Sequence, residues 1–257
     1  MAIDLKNVSF KYENVNVIQE ITAHFNPGEL VSLVGPNGAG KTTLLKLISG
    51  TLKPSSGKIY IYDQQSHNLT NKKRAVWISM VPQNPKLPDE ISIPDFVMLG
   101  RNPHLGLLQW ESKEDFNIAR KSMSLTEIDY LSRRKLGEIS GGERQRAMLA
   151  LAITQQSPIM LLDEPTSNLD IYHQIKVMKL IKKIHTLKSG FGVTILAIHD
   201  LNIAAQFSDR ILLFSNGSIA ADGMPKEVLT KNNIDSIYGS EVTIITHPEH
   251  GTPVILS

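Results

Sequence analysis

The sequence contains no cysteine, which excludes disulfide bonds and thiolate metal sites. It also lacks any apolar run near the roughly 18 residues that a membrane-spanning helix needs. Charges of the two signs are almost balanced, with a net charge of +2, so we expect neither a nucleic-acid partner nor a polybasic membrane contact. The first residues show no basic region followed by an apolar block, and we expect no signal peptide.

The composition that remains is typical of a soluble globular protein, with 257 residues, 41% apolar and 20% charged. Strand-like and helix-like patterns alternate along most of the chain, which predicts an α/β fold. The residues at about 85–155 show no convincing strand, so we expect an inserted α-helical subdomain within a single domain, 1–257. On this division, about 1–84 and 156–215 form the core, and about 216–257 form an extension of hairpin, helix and strand pair.

Local signals place several element boundaries. Ser92, Ser112 and Thr126 each precede an acidic residue in the way that helix N-caps do, and we expect a helix to begin at each. The apolar run at 75–81 predicts a buried strand that ends just before Gln83.

A glycine-rich loop carries the clearest functional signal. It has the pattern Gly-x4-Gly-Lys-Thr between a strand-like run at 30–34 and a helix-like segment at 43–48. Glycines let successive N–H groups point at a phosphate chain, and the following helix adds the positive end of its dipole. The pattern therefore predicts a nucleotide-phosphate site. Its residues are Gly35, Pro36, Asn37, Gly38, Ala39, Gly40, Lys41, Thr42 and the adjoining Thr43.

Two residues outside this loop are weaker candidates. Tyr12 lies about two dozen residues before the loop, where its ring could stack on an adenine, although half-buried strand tyrosines are common. Gln83 follows the strand-like run at 75–81, where its amide could reach a magnesium ion and the attacking water. Neither residue establishes a function by itself.

A second anion site is predicted far along the chain. Ser140 and Glu143 form a capping box, so a helix begins there with open N–H groups. Gly141 and Gly142 leave the approach to these groups clear.

Acidic residues and a histidine follow two further buried strands. The run at 159–162 ends in Asp163, suited to Mg²⁺ coordination, and Glu164, suited to act as a general base. The run at 193–198 ends at His199, which could donate a hydrogen bond to a γ-phosphate oxygen. Ligands of open α/β sheets collect at such strand ends.

With these residues in place, the chain resembles the ATP-binding subunit of an ABC transporter over almost its whole length. The resemblance implies a P-loop NTPase (RecA-like) α/β core with an antiparallel β subdomain and an inserted α-helical subdomain. The signature departs from the usual pattern only in carrying Ile139 where leucine is common. The matching motifs are the phosphate loop 35–42, Gln83, the signature 139–145, the strand and acids at 159–164, the loop 167–170 and His199.

The resemblance also implies a mechanism. Two copies face each other head to tail and hold two ATP molecules, each between the phosphate loop of one copy and Ser140, Gly141, Gly142 and Glu143 of the other. Thr42, Gln83 and Asp163 would hold Mg²⁺, while Glu164, His199, Lys41 and Gln83 would act in hydrolysis. The homodimer would drive a membrane permease dimer, with an extracytoplasmic substrate-binding protein, from the cytoplasmic face of the inner (plasma) membrane as a peripheral subunit.

Secondary resemblances indicate the cargo class. Residues 99–104 and 238–251 are similar to those of importers for iron–siderophore complexes, haem and vitamin B12, which points to import of a metal chelate. Molybdate importers share the architecture. A single-cassette subunit of an exporter is a further alternative, because the motifs do not specify the direction of transport. A soluble ABC ATPase acting on ribosomes or DNA would generally carry paired cassettes or long coiled coils, which the chain lacks. A P-loop kinase or GTPase would leave Gln83 and the signature without a role.

Overall fold

Two large sheets organise the chain, for which a computed structural model describes residues 1–106, 108–167, 169–187, 192–239 and 241–256. The strands are β1 (Ile3–Tyr12), β2 (Val15–Phe25), β3 (Leu30–Val34), β4 (Ser56–Ile61), β5 (Gln64–Gln65), β6 (Ile78–Val81), β7 (Ile159–Asp163), β8 (Val193–Ala197), β9 (Arg210–Ser215), β10 (Ser218–Gly223), β11 (Thr243–Thr246) and β12 (Pro253–Leu256). The α-helices are α1 (Lys41–Ile48), α2 (Asn71–Trp77), α3 (Ile93–Met98), α4 (Lys113–Leu125), α5 (Gly141–Thr154), α6 (Ile171–Leu187), α7 (Leu201–Phe207), α8 (Pro225–Val228) and α9 (Lys231–Tyr238). Asn168, in the predicted loop 167–170, lies outside the described residues.

The larger sheet is mostly parallel. Its strand order is β10-β9-β3-β8-β7-β6, with β9, β3, β8, β7 and β6 parallel and β10 antiparallel to β9. Both faces are covered, so the central strands β3, β7 and β8 are buried along their whole length and mostly apolar. In β7, Ile159 and Leu161 face one core cluster, whereas Met160 and Leu162 face the other.

The smaller sheet is antiparallel, with the order β2-β1-β4-β5. Apolar side chains of β1, β2 and β4 share a core with α1 and one face of the parallel sheet. Helices α3 to α6 pack on the opposite face of the parallel sheet. The predicted fold, a parallel core joined to an antiparallel β subdomain and a helical insertion, is therefore confirmed.

The chain between β6 and β7 is helical. It contains α3, α4 and α5 with short 3₁₀ turns at Leu99–His104, Asp129–Leu131 and Leu136–Glu138, and its described residues form no strand. Ser92 and Ser112 cap α3 and α4 as predicted, since each side chain accepts a hydrogen bond from the backbone N–H three residues later. The N-cap residues of this segment therefore predicted the starts of two of its helices correctly.

Two predicted elements are wrong in detail. Residues 75–77 are not strand but the last turn of α2, whose N-cap Thr70 accepts from the Lys73 N–H at 3.2 Å. Trp77 packs edge-on against Tyr62, with 5.6 Å between ring centroids, and only β6 enters the sheet. Thr126 ends α4 instead of opening a helix, because its hydroxyl donates back to the Ser122 carbonyl at 3.0 Å.

The end of α5 is fastened to neighbouring elements by side chains. The Gln155 amide donates to the carbonyls of Ala75 and Ile78, the latter at 2.9 Å, which ties α5 to the start of β6. Arg101 donates to the Thr154 carbonyl at 3.1 Å. The Arg101 guanidinium also pairs with buried Asp115 at 2.8 Å, which joins α4 to the same point.

The end of the chain packs on the edge of the core near α7. Helices α8 and α9, with α7 and β9, form a third apolar cluster. Asn202 on α7 makes two hydrogen bonds with Ile255 on β12, of 3.1 Å and 2.7 Å, which hold the β11–β12 hairpin in place. The hairpin at 216–217, the short helix α8 and the terminal strand pair were predicted, whereas α7 and α9 were not. None of the described helices is long and apolar enough to cross a membrane.

Candidate nucleotide site

The phosphate loop connects β3 to α1 and owes its shape to glycine. Gly35, Gly38 and Gly40 have φ angles of 143°, 78° and 105°, in the region where a side chain is strained. A Cβ on Gly35 would lie 2.4 Å from the Phe214 carbonyl oxygen. The loop can therefore lie against β9 only with glycine at this position.

Lys41 begins α1 and points back into the loop. Its side chain is buried, and Nζ donates to the carbonyls of Gly35 at 2.6 Å and Pro36 at 2.9 Å. Burial lowers the pKa of Lys41, while nearby Glu164 and Asp163 act in the opposite direction. The ammonium group is thus held within the curl of the loop, where a phosphate group would be a stronger partner than two carbonyls.

Thr42 and Asp163 lie together beneath the loop. The Thr42 hydroxyl donates to Asp163 Oδ1 at 2.8 Å, and Asp163 ends β7 almost fully buried. Burial raises the pKa of Asp163, and the Thr42 hydrogen bond offsets part of that rise. The pair supplies a hydroxyl and a carboxylate oxygen, the ligand types that suit Mg²⁺. Thr43, next in α1, is buried.

Glu164 is the centre of a second group of polar side chains. Its Oε2 accepts a hydrogen bond from the Gln83 amide, and its Oε1 accepts one from His199 Nε2. Since a carboxylate only accepts, His199 carries its proton on Nε2 in this contact. Glu164 has a φ of 49°, and its backbone N–H is fixed to the Ala197 carbonyl at 3.0 Å. A left-handed backbone is uncommon at a non-glycine residue, and here it follows directly after the strand end at Asp163.

Sheet topology explains why these residues meet. β6, β7 and β8 are adjacent parallel strands, and Gln83, Glu164 and His199 each follow the carboxyl end of one of them. The phosphate loop follows β3, the next strand over, so all four segments reach the same edge of the sheet. The structure therefore brings together the predicted residues from the phosphate loop and from the three strand ends.

The signature residues form the start of α5, in a different part of the chain. Ser140 is the N-cap of α5: the Glu143 N–H donates to its Oγ, and the Glu143 carboxylate accepts from the Ser140 N–H at 2.8 Å. Ser140 and Gly141 are exposed. No hydrogen bond between described residues connects this turn to the phosphate loop, so each half of the predicted site is separate within one chain.

The two signature glycines have open surroundings. A Cβ on Gly141 would meet no atom within 4 Å, and one on Gly142 would make only ordinary contacts, at 3.7 Å with His173 and 3.9 Å with Leu169. Neither glycine is required by the packing of its own chain. The opening at the start of α5 is therefore available to another molecule.

Tyr12 is the last residue of β1. Its ring contacts Phe10 edge-on, with 4.8 Å between centroids, and 44% of the residue is exposed. One side of the ring is fixed by packing and the rest is accessible, as a stacking platform requires.

Sequence reasoning missed the residues that surround Glu143. Tyr130 donates a hydrogen bond to Glu143 Oε1 at 2.6 Å, and Arg146 donates to the Tyr130 hydroxyl at 3.2 Å. No local pattern links Tyr130 to Glu143, 13 residues away. Asp200, which caps α7 by accepting from the Asn202 and Ile203 N–H groups, could have been found from its position just after a strand.

A cavity of about 920 Å³ lies elsewhere, between α6, α7, α8 and the β11–β12 hairpin. None of the predicted site residues lines it. The residues and strand ends, and not this concavity, therefore locate the chemistry expected of a phosphate loop.

Comparison with known proteins agrees with this geometry. The sequence profile of the family described as ABC transporter matches residues 18–167. The chain is 38% identical over 248 residues to a petrobactin import ATP-binding protein of Bacillus anthracis, covering 96% of this chain and 90% of the relative. It is 35% identical over 252 residues to the ferric enterobactin transport ATP-binding protein of Escherichia coli, covering 98% and 92%.

Solved structures give the same result. A chain from a transporter assigned to the metal-chelate type, in an inward-facing conformation, superposes with a TM-score of 0.84 at 26% identity, covering 99% of this chain and 96% of the other. A dimeric ATP-binding cassette bound to ADP and Pi, in a post-hydrolysis state, superposes with a TM-score of 0.76 at 29% identity, covering 86% and 98%. With its phosphate loop, strand-end acids and exposed signature, the chain belongs to the ABC transporter family and is an ATP-binding cassette.

Proposed function

We propose that the chain is the ATP-hydrolysing subunit that powers import of a metal chelate of the iron–siderophore, haem or cobalamin type through a membrane permease. The relatives named for petrobactin import and ferric enterobactin transport support this cargo class, as does the metal-chelate type of the superposed transporter. In the working complex, about 1–84 and 156–215 form the nucleotide-binding core, about 85–155 the helical subdomain, and about 216–257 the extension.

One observation carries the proposal: the chain presents two half-sites that do not meet. Lys41 and the phosphate loop lie at the sheet edge, whereas Gly141 and Gly142 are open at the start of α5. A homodimer arranged head to tail would place each loop against the other copy's signature. Each ATP would then lie between Lys41 and Thr42 of one copy and Ser140 to Glu143 of the other, with the adenine on Tyr12.

The residues around the phosphates are suited to a bound metal ion. Thr42 and Asp163 would hold Mg²⁺, directly or through water, with Gln83 reaching it from the end of β6. When bound, Mg²⁺ neutralises negative charge on the phosphates and so favours phosphoryl transfer. Lys41 adds a fixed positive charge on the same side.

Glu164 would accept a proton from the attacking water, and His199 would donate a hydrogen bond to the γ-phosphate. Both Gln83 and His199 are hydrogen-bonded to the Glu164 carboxylate. Each oxygen of the carboxylate keeps a further lone pair for the attacking water, while the two donors fix the direction of the Glu164 side chain.

The variant Glu164→Gln tests the dimer and the base together. It should bind ATP, hydrolyse it about 10²- to 10⁴-fold more slowly because no base is left, and accumulate as an ATP-bound dimer. Turnover assays and light scattering measure both effects. Lys41→Ala is the matched variant and should lose at least about tenfold in ATP affinity, because the phosphates lose a close cation. Normal turnover in Glu164→Gln would remove Glu164 as the base.

The partners are tested by affinity purification of the tagged chain from its host membranes in mild detergent. We expect a permease, itself a dimer, in equal stoichiometry with the chain at the cytoplasmic face of the inner membrane. Uptake assays with the permease and its extracytoplasmic binding protein, using ferric siderophore, haem, cobalamin and molybdate, then identify the cargo. Recovery with ribosomal or DNA-repair proteins from the soluble fraction would contradict the proposal and favour a soluble ABC ATPase.

A further inference from the structure

A tyrosine outside the signature is joined to it by a chain of hydrogen bonds. Tyr130, in the 3₁₀ turn Asp129–Leu131, donates to Glu143 Oε1 at 2.6 Å, and Arg146 Nη2 donates to the Tyr130 hydroxyl at 3.2 Å. Glu143 Oε2 accepts from the Ser140 hydroxyl at 2.7 Å and from the Ser140 N–H at 2.8 Å. The two carboxylate oxygens therefore have different partners, Tyr130 on Oε1 and Ser140 on Oε2.

This arrangement solves an electrostatic problem at the start of α5. A helix N-terminus attracts anions, but Glu143 places a carboxylate in its first turn, where it would repel a nucleotide. Hydrogen bonds from Tyr130, then from Ser140, lower the pKa of Glu143 to about 2, so it stays ionised. The charge must consequently be held by neighbouring donors rather than removed by a proton.

Tyr130 performs this role from an exposed position. Its residue surface is 66% exposed, while Ile128 and Leu131 on either side are buried and anchor the turn. Removing the phenol oxygen should therefore leave the fold intact. It would free Glu143 Oε1 and allow the carboxylate to turn towards the opening beside Gly141.

We propose that Tyr130 is a positioning residue for the signature: by binding Glu143 Oε1, it fixes the carboxylate in its capping position, with Oε2 on Ser140, and keeps it out of the opening beside Gly141 where the nucleotide of a second copy would lie. This inference rests on the proposed function, because the nucleotide in question is the one bound to the partner's phosphate loop. The Lys41 end of the same chain takes no part in it.

The test compares nucleotide affinity with dimer formation. In the Glu164→Gln background, Tyr130→Phe should leave the affinity of the single chain for fluorescent ATP within about twofold, since the phosphate loop is unchanged. It should weaken ATP-driven dimerisation about tenfold, because at each of two sites the freed carboxylate repels the nucleotide bound to the other copy. Fluorescence titration and analytical ultracentrifugation provide the two readouts. Tyr60→Phe, on β4, is the matched control and should leave both values unchanged.

A second comparison separates positioning from general destabilisation. In the background Glu143→Gln, which removes the charge, Tyr130→Phe should change dimerisation by less than about twofold. An equal loss in both backgrounds, or an unchanged dimer in Tyr130→Phe, would overturn the role of Tyr130. Failure of Glu164→Gln itself to form an ATP-dependent dimer would instead overturn the proposed function, and this inference with it.

Discussion

The phosphate loop and the signature both contain glycines, but they need them for different reasons. Gly35 and Gly40 have positive φ angles, and a Cβ on Gly40 would lie 2.9 Å from the Val17 carbonyl oxygen. Gly141 and Gly142 are ordinary first-turn helix residues with space around them. The fold of the chain explains the first pair of glycines and leaves the second pair unexplained.

The polar groups differ in the same way. Lys41 is buried and its ammonium group has two carbonyl partners within the loop. Ser140 is exposed, and its capping partner Glu143 lies on its own helix turn. A stretch whose residues suit its own fold can be understood from one chain. A stretch whose glycines serve no internal purpose indicates contact with something outside the chain.

The largest effect expected from this comparison is on Gly35. We expect Gly35→Ala to lower the free energy of unfolding by about 3 kcal/mol. The new Cβ would clash with the backbone carbonyl of Phe214, and a change of side-chain rotamer cannot remove that clash. Denaturant unfolding without nucleotide measures it. Gly28→Ala is the control: its φ of 86° is also positive but its Cβ meets nothing within 4 Å, so it should cost only about 1 kcal/mol. Equal costs would show that close packing does not constrain the loop.

Gly141→Ala should behave in the opposite way. Its stability should stay within about 0.5 kcal/mol of the parent, since alanine is tolerated in a first helical turn with open space. ATP-driven dimerisation in the Glu164→Gln background should weaken at least about tenfold, or about 1.4 kcal/mol, because the methyl group obstructs the partner's nucleotide. Sedimentation and thermal unfolding report the two quantities. A dimer of unchanged affinity would break the contrast between the two stretches.

The smallest effect concerns the charge buried beneath the phosphate loop. Burial raises the pKa of Asp163, so the folded chain keeps its proton to a higher pH than the unfolded chain does. This contribution favours folding in acid and is lost as pH rises from the ordinary aspartate value through the raised one. Asp163→Asn should therefore be more stable than the parent by about 1 kcal/mol at pH 7, with no difference in acid.

The measurement is denaturant unfolding of both proteins from about pH 3 to pH 8, without nucleotide or metal ion. The stability difference should grow as pH rises, and a difference that grows towards acid would contradict the assignment. Magnesium-dependent ATP binding should weaken in the same variant. If Asp163→Asn is more stable but binds ATP less well, then burial of the Asp163 carboxylate serves nucleotide binding at a cost in folding stability.

Local signals made most of the site predictable from sequence. The phosphate loop, the strand ending in Asp163 and the capping box at Ser140 are each set by neighbouring residues. The boundary at 75–78 failed because a short continuous apolar run fits a strand and a buried helix turn equally well. The prediction that Thr126 opens a helix was wrong because a threonine can also end one. Its hydroxyl then donates a hydrogen bond to a carbonyl of the preceding turn, here that of Ser122. The contact of Tyr130 with Glu143 has no local signature and required the structure.

The fastening of α5 at Gln155 has a mechanical consequence. The helix has 14 residues and is therefore about 21 Å long, with Ser140 at one end and Gln155 at the other. Because Gln155 is hydrogen-bonded to the start of β6, the Gln155 end of α5 is a fixed point about which the helix would rotate. A rotation of about 10° would carry Ser140 through about 4 Å on this lever of about 21 Å. The same fixed point is joined to the strand that leads to Gln83, so Ser140 and Gln83, which the proposed dimer places at different nucleotides, are linked within one chain.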